Sequence, residues 1–272
     1  MISAALQPDQ QPERWDDHVS VYETAFEPFT MQFAEAAIAA LDLGRGQSVL
    51  DVGAGSGGAA VAMAARGLLV TAVDASPRMV ARILARAASR GLEIRAEAMD
   101  GQALALADGS FDAALSVLGV ILFPDAVRGL AEMVRAVRPG GRISVVTWTE
   151  PQAYELAAEL RAAIQSVWPE QPAASPPAQL RYREEKDFRA LFSAAGLAQP
   201  SIAKVTAYLE APSARWLAEH MAFAPGMAAA LGGLGDRRTR ILERFIANLE
   251  TRQGTGPIRL AGVAFVGTAR RA

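Results

Sequence analysis

Residues 48–58 read Ser-Val-Leu-Asp-Val-Gly-Ala-Gly-Ser-Gly-Gly: a short apolar run with one carboxylate inside it, then a cluster of glycines. The apolar run predicts a buried strand, and residues 59–66 after the glycines predict a helix. Glycine between the two lets the backbone turn tightly and lets a ligand approach without Cβ clashes. Outward from this point the pattern repeats. Residues 68–73 predict a second buried strand ending at Asp74, and Ser76-Pro77 suits the start of a helix running to residue 90. Strands follow at 92–98 and 112–117. A helix at 126–137 is closed by Pro139-Gly140-Gly141, and a fifth strand spans 142–148. Strands alternating with helices imply a parallel sheet covered on both faces, and near-continuous apolar strands agree with that burial. Such sheets bind ligands at the carboxyl ends of their strands, near the switch in strand order.

The flanks are more helical. Residues 15–43 predict one helix, with Phe26, Phe29, Phe33, Ala37 and Ala40 at three- and four-residue steps and Gly44 and Gly46 beyond its end. After Pro151 come a helix at 152–167, a connector at 169–177 with four prolines in nine residues, and a helix at 184–195 with Gly196 at its C-cap. A strand at 202–209, a helical stretch at 213–250 broken near Pro225-Gly226 and Gly232-Gly233, and a last strand at 258–269 complete the chain.

Composition narrows the chemistry. Of 272 residues, 51% are hydrophobic and 21% charged, ordinary globular values that exclude a wholly disordered or fibrous chain. The 27 basic and 29 acidic side chains nearly cancel, which gives no electrostatic reason to grip nucleic acid or an anionic membrane. There is no cysteine, so disulfides, thiolate nucleophiles, zinc-thiolate sites and iron–sulfur clusters are excluded. With only His18 and His220, no metal site is expected. Residues 1–17 lack the cationic start and apolar core of a signal peptide, and no window approaches the roughly 18 apolar residues of a membrane span. A soluble, cytoplasmic chain is expected.

Two carboxylates discriminate among ligands. Gly53, Gly55 and Gly58 satisfy the dinucleotide pattern G-x-G-x-x-G. Asp51, two residues earlier, would lie beside the pyrophosphate of such a ligand, and two anions repel in a partly dry site. A cationic ligand with a free amino group is favoured, and S-adenosylmethionine (SAM) fits. Asp74, at the end of the next strand, suits the two hydroxyls of a ribose.

Together these segments resemble the class I SAM-dependent methyltransferases, and more narrowly the small-molecule branch that includes the ubiquinone/menaquinone-biosynthesis type. The resemblance is carried by residues 49–57, by Val73-Asp74-Ala75-Ser76-Pro77-Arg78-Met79, by Ala98-Met99-Asp100-Gly101, by residues 106–112 and by Arg138-Pro139-Gly140-Gly141. It implies a Rossmann-like three-layer α/β/α sandwich with a seven-stranded, mostly parallel sheet, an antiparallel last strand at 258–269, an edge strand at 202–209 and a helical cap. It implies that Asp51, Gly53, Ala54, Gly55, Asp74, Ala75, Met79, Met99, Asp100, Gly101 and Ser116 bind SAM, which leaves as S-adenosylhomocysteine (SAH). Asp100 would take the adenine amine, Met99 would stack on the ring, and Ser116 would offer a backbone carbonyl to the methionine amine. Many relatives carry histidines after the fourth strand. Here Val120-Ile121-Leu122-Phe123-Pro124 is apolar, which suits an apolar or aromatic acceptor or simply the core.

Trp15 and Tyr22 are candidates to close the site, since aromatic faces attract a sulfonium. His220 and His18 are candidate general bases; Trp148, Tyr154, Arg181 and Arg183 are candidate acceptor contacts. The expected organisation is an N-terminal lid at 1–45, a SAM-binding core at 46–150, a cap and substrate region at 151–256 and the final strand at 257–272. The expected activity is methyl transfer to a small molecule, at oxygen, nitrogen or carbon. A nicotinamide-dependent oxidoreductase and a catalytically silent SAM-binding regulatory module stay open, as does a homodimer.

Overall fold

The computed structural model describes residues 5–172 and 176–272; residues 173–175 of the proline-rich connector, and residues 1–4, lie outside the described residues. Among the described residues seven strands form one sheet. In chain order they are β1 (Ser48–Val52), β2 (Leu69–Asp74), β3 (Ile94–Ala98), β4 (Phe111–Val117), β5 (Val137–Trp148), β6 (Ser201–Ala211) and β7 (Ile258–Arg270). Their spatial order is β3-β2-β1-β4-β5-β7-β6. β1 pairs in parallel with β2 on one side and β4 on the other, so the strand order switches direction beside β1. β7 runs antiparallel to both β5 and β6, and β6 forms the edge, as the family resemblance implies.

Both faces are covered. One carries α3 (Glu27–Leu41), α4 (Gly58–Ala65) and α5 (Pro77–Ala88), whose residues Phe29, Phe33, Ala60, Met63 and Ile83 share one hydrophobic cluster. The other carries α6 (Ala126–Ala136) and α8 (Glu185–Ala194), with Leu130, Met133, Phe188 and Phe192 in a second cluster. Along β1, Val49 faces the first cluster and Leu50 and Val52 the second, the alternation of a strand buried on both sides. Helix starts follow local chemistry. Ser76 Oγ accepts the Met79 N–H at 3.1 Å with Pro77 in the first turn, and Asp125 caps α6 through the Arg128 N–H at 2.9 Å.

The N-terminal helix expected at 15–43 is corrected to three pieces: α1 (Pro12–Trp15), α2 (Val19–Ala25) and α3. Phe26 leaves helical geometry, and Pro28, which has no N–H to give to a preceding turn, starts a new helix instead of continuing the old one. β5 begins five residues early, because Val137 pairs with Phe111 before a bulge at Gly140-Gly141. A Cβ on Gly141 would lie 2.5 Å from the Asp112 carbonyl oxygen, so only glycine passes there.

Beyond β5, α7 (Glu155–Val167) precedes the connector. Between β6 and β7 lie α9 (Ala214–Glu219), α10 (Pro225–Gly232) and α11 (Arg238–Gln253), with one break before Pro225-Gly226 and one after Gly232. Leu156 and Leu160 of α7, Leu217 of α9, and Ile241 and Phe245 of α11 join the same cluster as α3 and α4. The helices that follow β5 and β6 therefore share one apolar interior with α3 and α4.

Candidate cofactor site

The loop after β1 stands at the strand-order switch. Gly53 adopts φ +70°, and a Cβ there would come within 3.0 Å of the Gly119 Cα, so the loop after β1 and the loop after β4 touch backbone to backbone. Ser116, at the end of β4, secures this contact: its hydroxyl donates to the Val52 carbonyl at 2.7 Å and accepts the Val120 N–H at 3.0 Å. The Ser116 side chain is thereby committed within the protein. Leu118 holds φ +59°, an unusual left-handed conformation for a branched residue, beside the same loop.

Asp51 is 1% exposed, and its Oδ2 has no hydrogen-bond partner. Burial, reinforced by the negative charge of Asp74, pushes its carboxyl up to about 7. Asp74 accepts the Gly55 N–H at 2.8 Å and the Ser76 N–H at 2.9 Å. Burial raises its pKa, and these N–H bonds oppose the rise. A buried carboxylate oxygen without a donor costs free energy that a cationic ligand group would recover. The pair thus fits SAM, with an ammonium for Asp51 and ribose hydroxyls for Asp74, and it disfavours a pyrophosphate.

The other expected cofactor residues divide. Tyr22 lies over the loop: its ring would be 3.7 Å from a Cβ on Gly55, and its hydroxyl is 3.3 Å from Thr30 Oγ1. Burial holds the phenol well above its usual range, so it stays neutral. Trp15 packs edge-on against Tyr22 at 6.0 Å and donates Nε1–H to the Asp9 carbonyl, bracing Tyr22 from behind. The Met99 N–H donates to the Asp74 carbonyl at 3.1 Å, which brings residues 99–101 beside β2. Asp100 is exposed; its Oδ1 accepts from Gln102. Gly101 is demanded by Phe123, whose ring carbon would lie 2.5 Å from its Cβ. Ala54 donates its N–H to the Val73 carbonyl within the glycine loop, and Ala75 separates Asp74 from the Ser76 cap. Met79 is buried, and its N–H serves the Ser76 cap of α5.

Aromatic rings fill the space beyond the loop. Phe26 stacks on Phe223 from the cap at 4.0 Å, Trp148 stacks on Tyr154 at 5.1 Å, and Phe26 lies 6.3 Å from Trp148. The Tyr154 hydroxyl is buried without a partner, and burial raises its pKa. His18 donates Nδ1–H to the Ala222 carbonyl at 2.9 Å, joining the N-terminal segment to the cap. His220 stacks on Trp216 at 4.1 Å and donates Nδ1–H to the Trp216 carbonyl, so its ring is seated on its own helix. Arg181 is corrected as an acceptor contact. Its guanidinium donates to the carbonyls of Ile121, Phe123, Pro124 and Ala178, all at 2.5–3.2 Å, and fastens the connector to the apolar wall 120–124. Arg183 reaches only the Leu180 carbonyl, at 3.3 Å.

The comparisons with known proteins accord with this geometry. Residues 49–141 match the family described as "Methyltransferase domain". Over these residues the chain is similar to methyltransferases. An uncharacterised protein of Mycobacterium tuberculosis is 42% identical over 112 residues, 41% of each chain. The demethylmenaquinone methyltransferase of Thermus thermophilus is 34% identical over 123 residues, 44% of this chain and 56% of that one. The chain spans about half the length of these curated relatives. In fold, the methyltransferase core and its cap are similar to the [4+2]-cyclase SpnF, with a TM-score of 0.63 and 19% identity over 98% of this chain and 97% of that one. Among the described residues no helix is long and apolar enough to cross a membrane.

The sequence motifs missed Asp16, which accepts the Ser76 hydroxyl at 2.5 Å, Glu27, which accepts from Ser56 and Arg86, and Phe223, which stacks on Phe26. Each has its partner distant in the chain, and the only local signal was Glu27 standing before Pro28 at a helix start.

Proposed function

We propose that this chain transfers the methyl group of SAM to an apolar or aromatic small molecule. The observation that carries the reading is the unpartnered Asp51 oxygen beside Asp74 at the strand-order switch, on a family core that uses this cofactor. SAM, when bound, supplies a methyl group already activated by its sulfonium. The residues of this chain hold and orient it: Asp51 takes the ammonium, Asp74 the ribose hydroxyls, Asp100 through its free oxygen the adenine amine, and Met99 the ring face. Tyr22 roofs the loop, and Phe26, Phe223 and Trp148 exclude water beside the methyl position. The N-terminal segment 1–45 serves as lid and the cap 151–256 forms the acceptor side. Similarity to the demethylmenaquinone methyltransferase supports a ring-containing acceptor. Of the two histidines, His18 is the better candidate base. Its Nδ1–H is fixed by the Ala222 carbonyl, which leaves Nε2 as the free acceptor on the helical face that also carries Tyr22.

Isothermal titration with SAH tests the reading at its root. Binding with a micromolar-range affinity is expected, and absence of binding to the folded chain sinks it. The nicotinamide reading is replaced, because Asp51 and the family of the core both oppose it. A SAM-binding module without methyl transfer has one observation in its favour, a similar fold named for cyclisation. Incubation with methyl-labelled SAM and small-molecule extracts separates the two. Label in an organic-soluble product supports transfer, and SAH binding without any labelled product supports the module.

A further inference from the structure

Three helices converge on the glycine loop at a side-chain cluster that cofactor contact does not require. Glu27, the first residue of α3, is 7% exposed. Its Oε1 accepts from the Ser56 hydroxyl at 2.5 Å, from the Gly58 N–H at 3.0 Å and from Arg86 Nη1 at 2.7 Å. Arg86, in the last turns of α5, also donates Nη1–H to the Ser56 carbonyl at 2.9 Å. Ser56 is fully buried and is therefore gripped at both its hydroxyl and its carbonyl. Its neighbour Gly55 donates to Asp74. The cofactor loop is thus held from one side by Asp74 and from the other by Glu27 and Arg86.

Electrostatics favour this arrangement. A carboxylate sits at the N-termini of α3 and α4, and a guanidinium sits toward the C-terminus of α5, where the helix dipoles favour each sign. Space has been made for it: a Cβ on Gly58 would lie 2.8 Å from the Glu27 carboxyl carbon. Stability alone is a weak reason for such a cluster. Burying two charges carries a desolvation cost that apolar side chains of similar volume avoid. What apolar side chains cannot supply is a donor and an acceptor aimed at one residue of a loop that glycines leave free to adopt many conformations.

We infer that Glu27 and Arg86 are positioning residues that lock Ser56 and so set the glycine loop in its cofactor-binding conformation. This rests on the cofactor reading above. Neither residue is assigned any contact with the cofactor itself.

The test is SAH affinity measured by calorimetry on the full chain, with thermal unfolding measured beside it. Ser56→Ala removes one grip and leaves the ion pair intact. The double variant Glu27→Leu/Arg86→Met removes the clamp and keeps the volume. Both are expected to fold. Ser56→Ala is expected to weaken SAH binding about five- to thirty-fold, and the double variant at least as much, the scale of one or two lost buried hydrogen bonds. Leu191→Ala, on the opposite face of the sheet, is expected to lower the unfolding midpoint and leave SAH affinity unchanged. The inference is overturned if SAH binds either folded clamp variant within about twofold of the unaltered chain, since a purely structural cluster would leave affinity alone. If the double variant does not fold, Ser56→Ala decides. An unaltered chain that does not bind SAH defeats the cofactor reading instead, so the two failures are distinct.

Discussion

Asp51 shows what one residue contributes to both stability and binding. Its carboxyl is pushed up to about 7 in the folded chain, whereas an exposed aspartate titrates about three units lower. Between those values the folded state holds a proton that the unfolded state has released. Stability therefore falls as pH rises through this window and stays reduced above it. Asp51→Asn is expected to stabilise the ligand-free protein by roughly 1–4 kcal/mol at pH 8, with the gain vanishing near pH 4, measured by denaturant unfolding. The same variant is expected to lose SAH affinity. A stabilisation independent of pH would show that the Asp51 charge is not the cause. Asp51 was legible in the sequence because a carboxylate inside an apolar strand before glycines has few purely structural uses. The second use of Met79 was not legible: its backbone N–H serves the Ser76 cap, which only the structure reveals.

At the scale of elements, the central strands were legible because burial on both faces writes itself as apolar runs bounded by glycine and proline, whereas the antiparallel last strand and the edge strand were implied only by the family resemblance. The N-terminal helices were less so: the phenylalanine spacing runs through Pro28 without a gap, yet the helix does not. Loops carry the largest surprise. The apolar wall 120–124 owes its backbone position to Arg181, nearly sixty residues later, whose guanidinium satisfies three carbonyls in that segment. Nothing in the local sequence distinguishes this arginine from a solvated one. Arg181→Ala is expected to cost roughly 1–3 kcal/mol, a range discounted for the exposure of the side chain. It is also expected to loosen the wall, seen as faster amide hydrogen exchange at residues 121–124, while SAH affinity changes little. Unchanged exchange there would remove Arg181 from this role.

Across the whole molecule, the cap and the cofactor half share one apolar interior, so they are expected to unfold together. Phe245, fully buried in α11, tests this: Phe245→Ala is expected to cost about 3–5 kcal/mol. The unaltered chain is expected to show coincident denaturant transitions by circular dichroism and by fluorescence of Trp15, Trp148, Trp168 and Trp216. Two separate transitions would mark the cap as an independent unit. This continuity was not legible from the motifs, which end with the fifth strand.

The N-terminal segment carries one more consequence. Gln7 bonds Pro176 and Ala178, Asp9 accepts the Gly226 N–H, and His18 bonds Ala222, across separations of 169 to 217 residues. The glycine loop and both carboxylates need only the first hundred residues or so, and β4 and β5 follow soon after. Residues 7–18 therefore leave the ribosome well before their partners at 176–226 exist. The docking of this segment rests on contacts of high sequence separation, which are correspondingly slow to form.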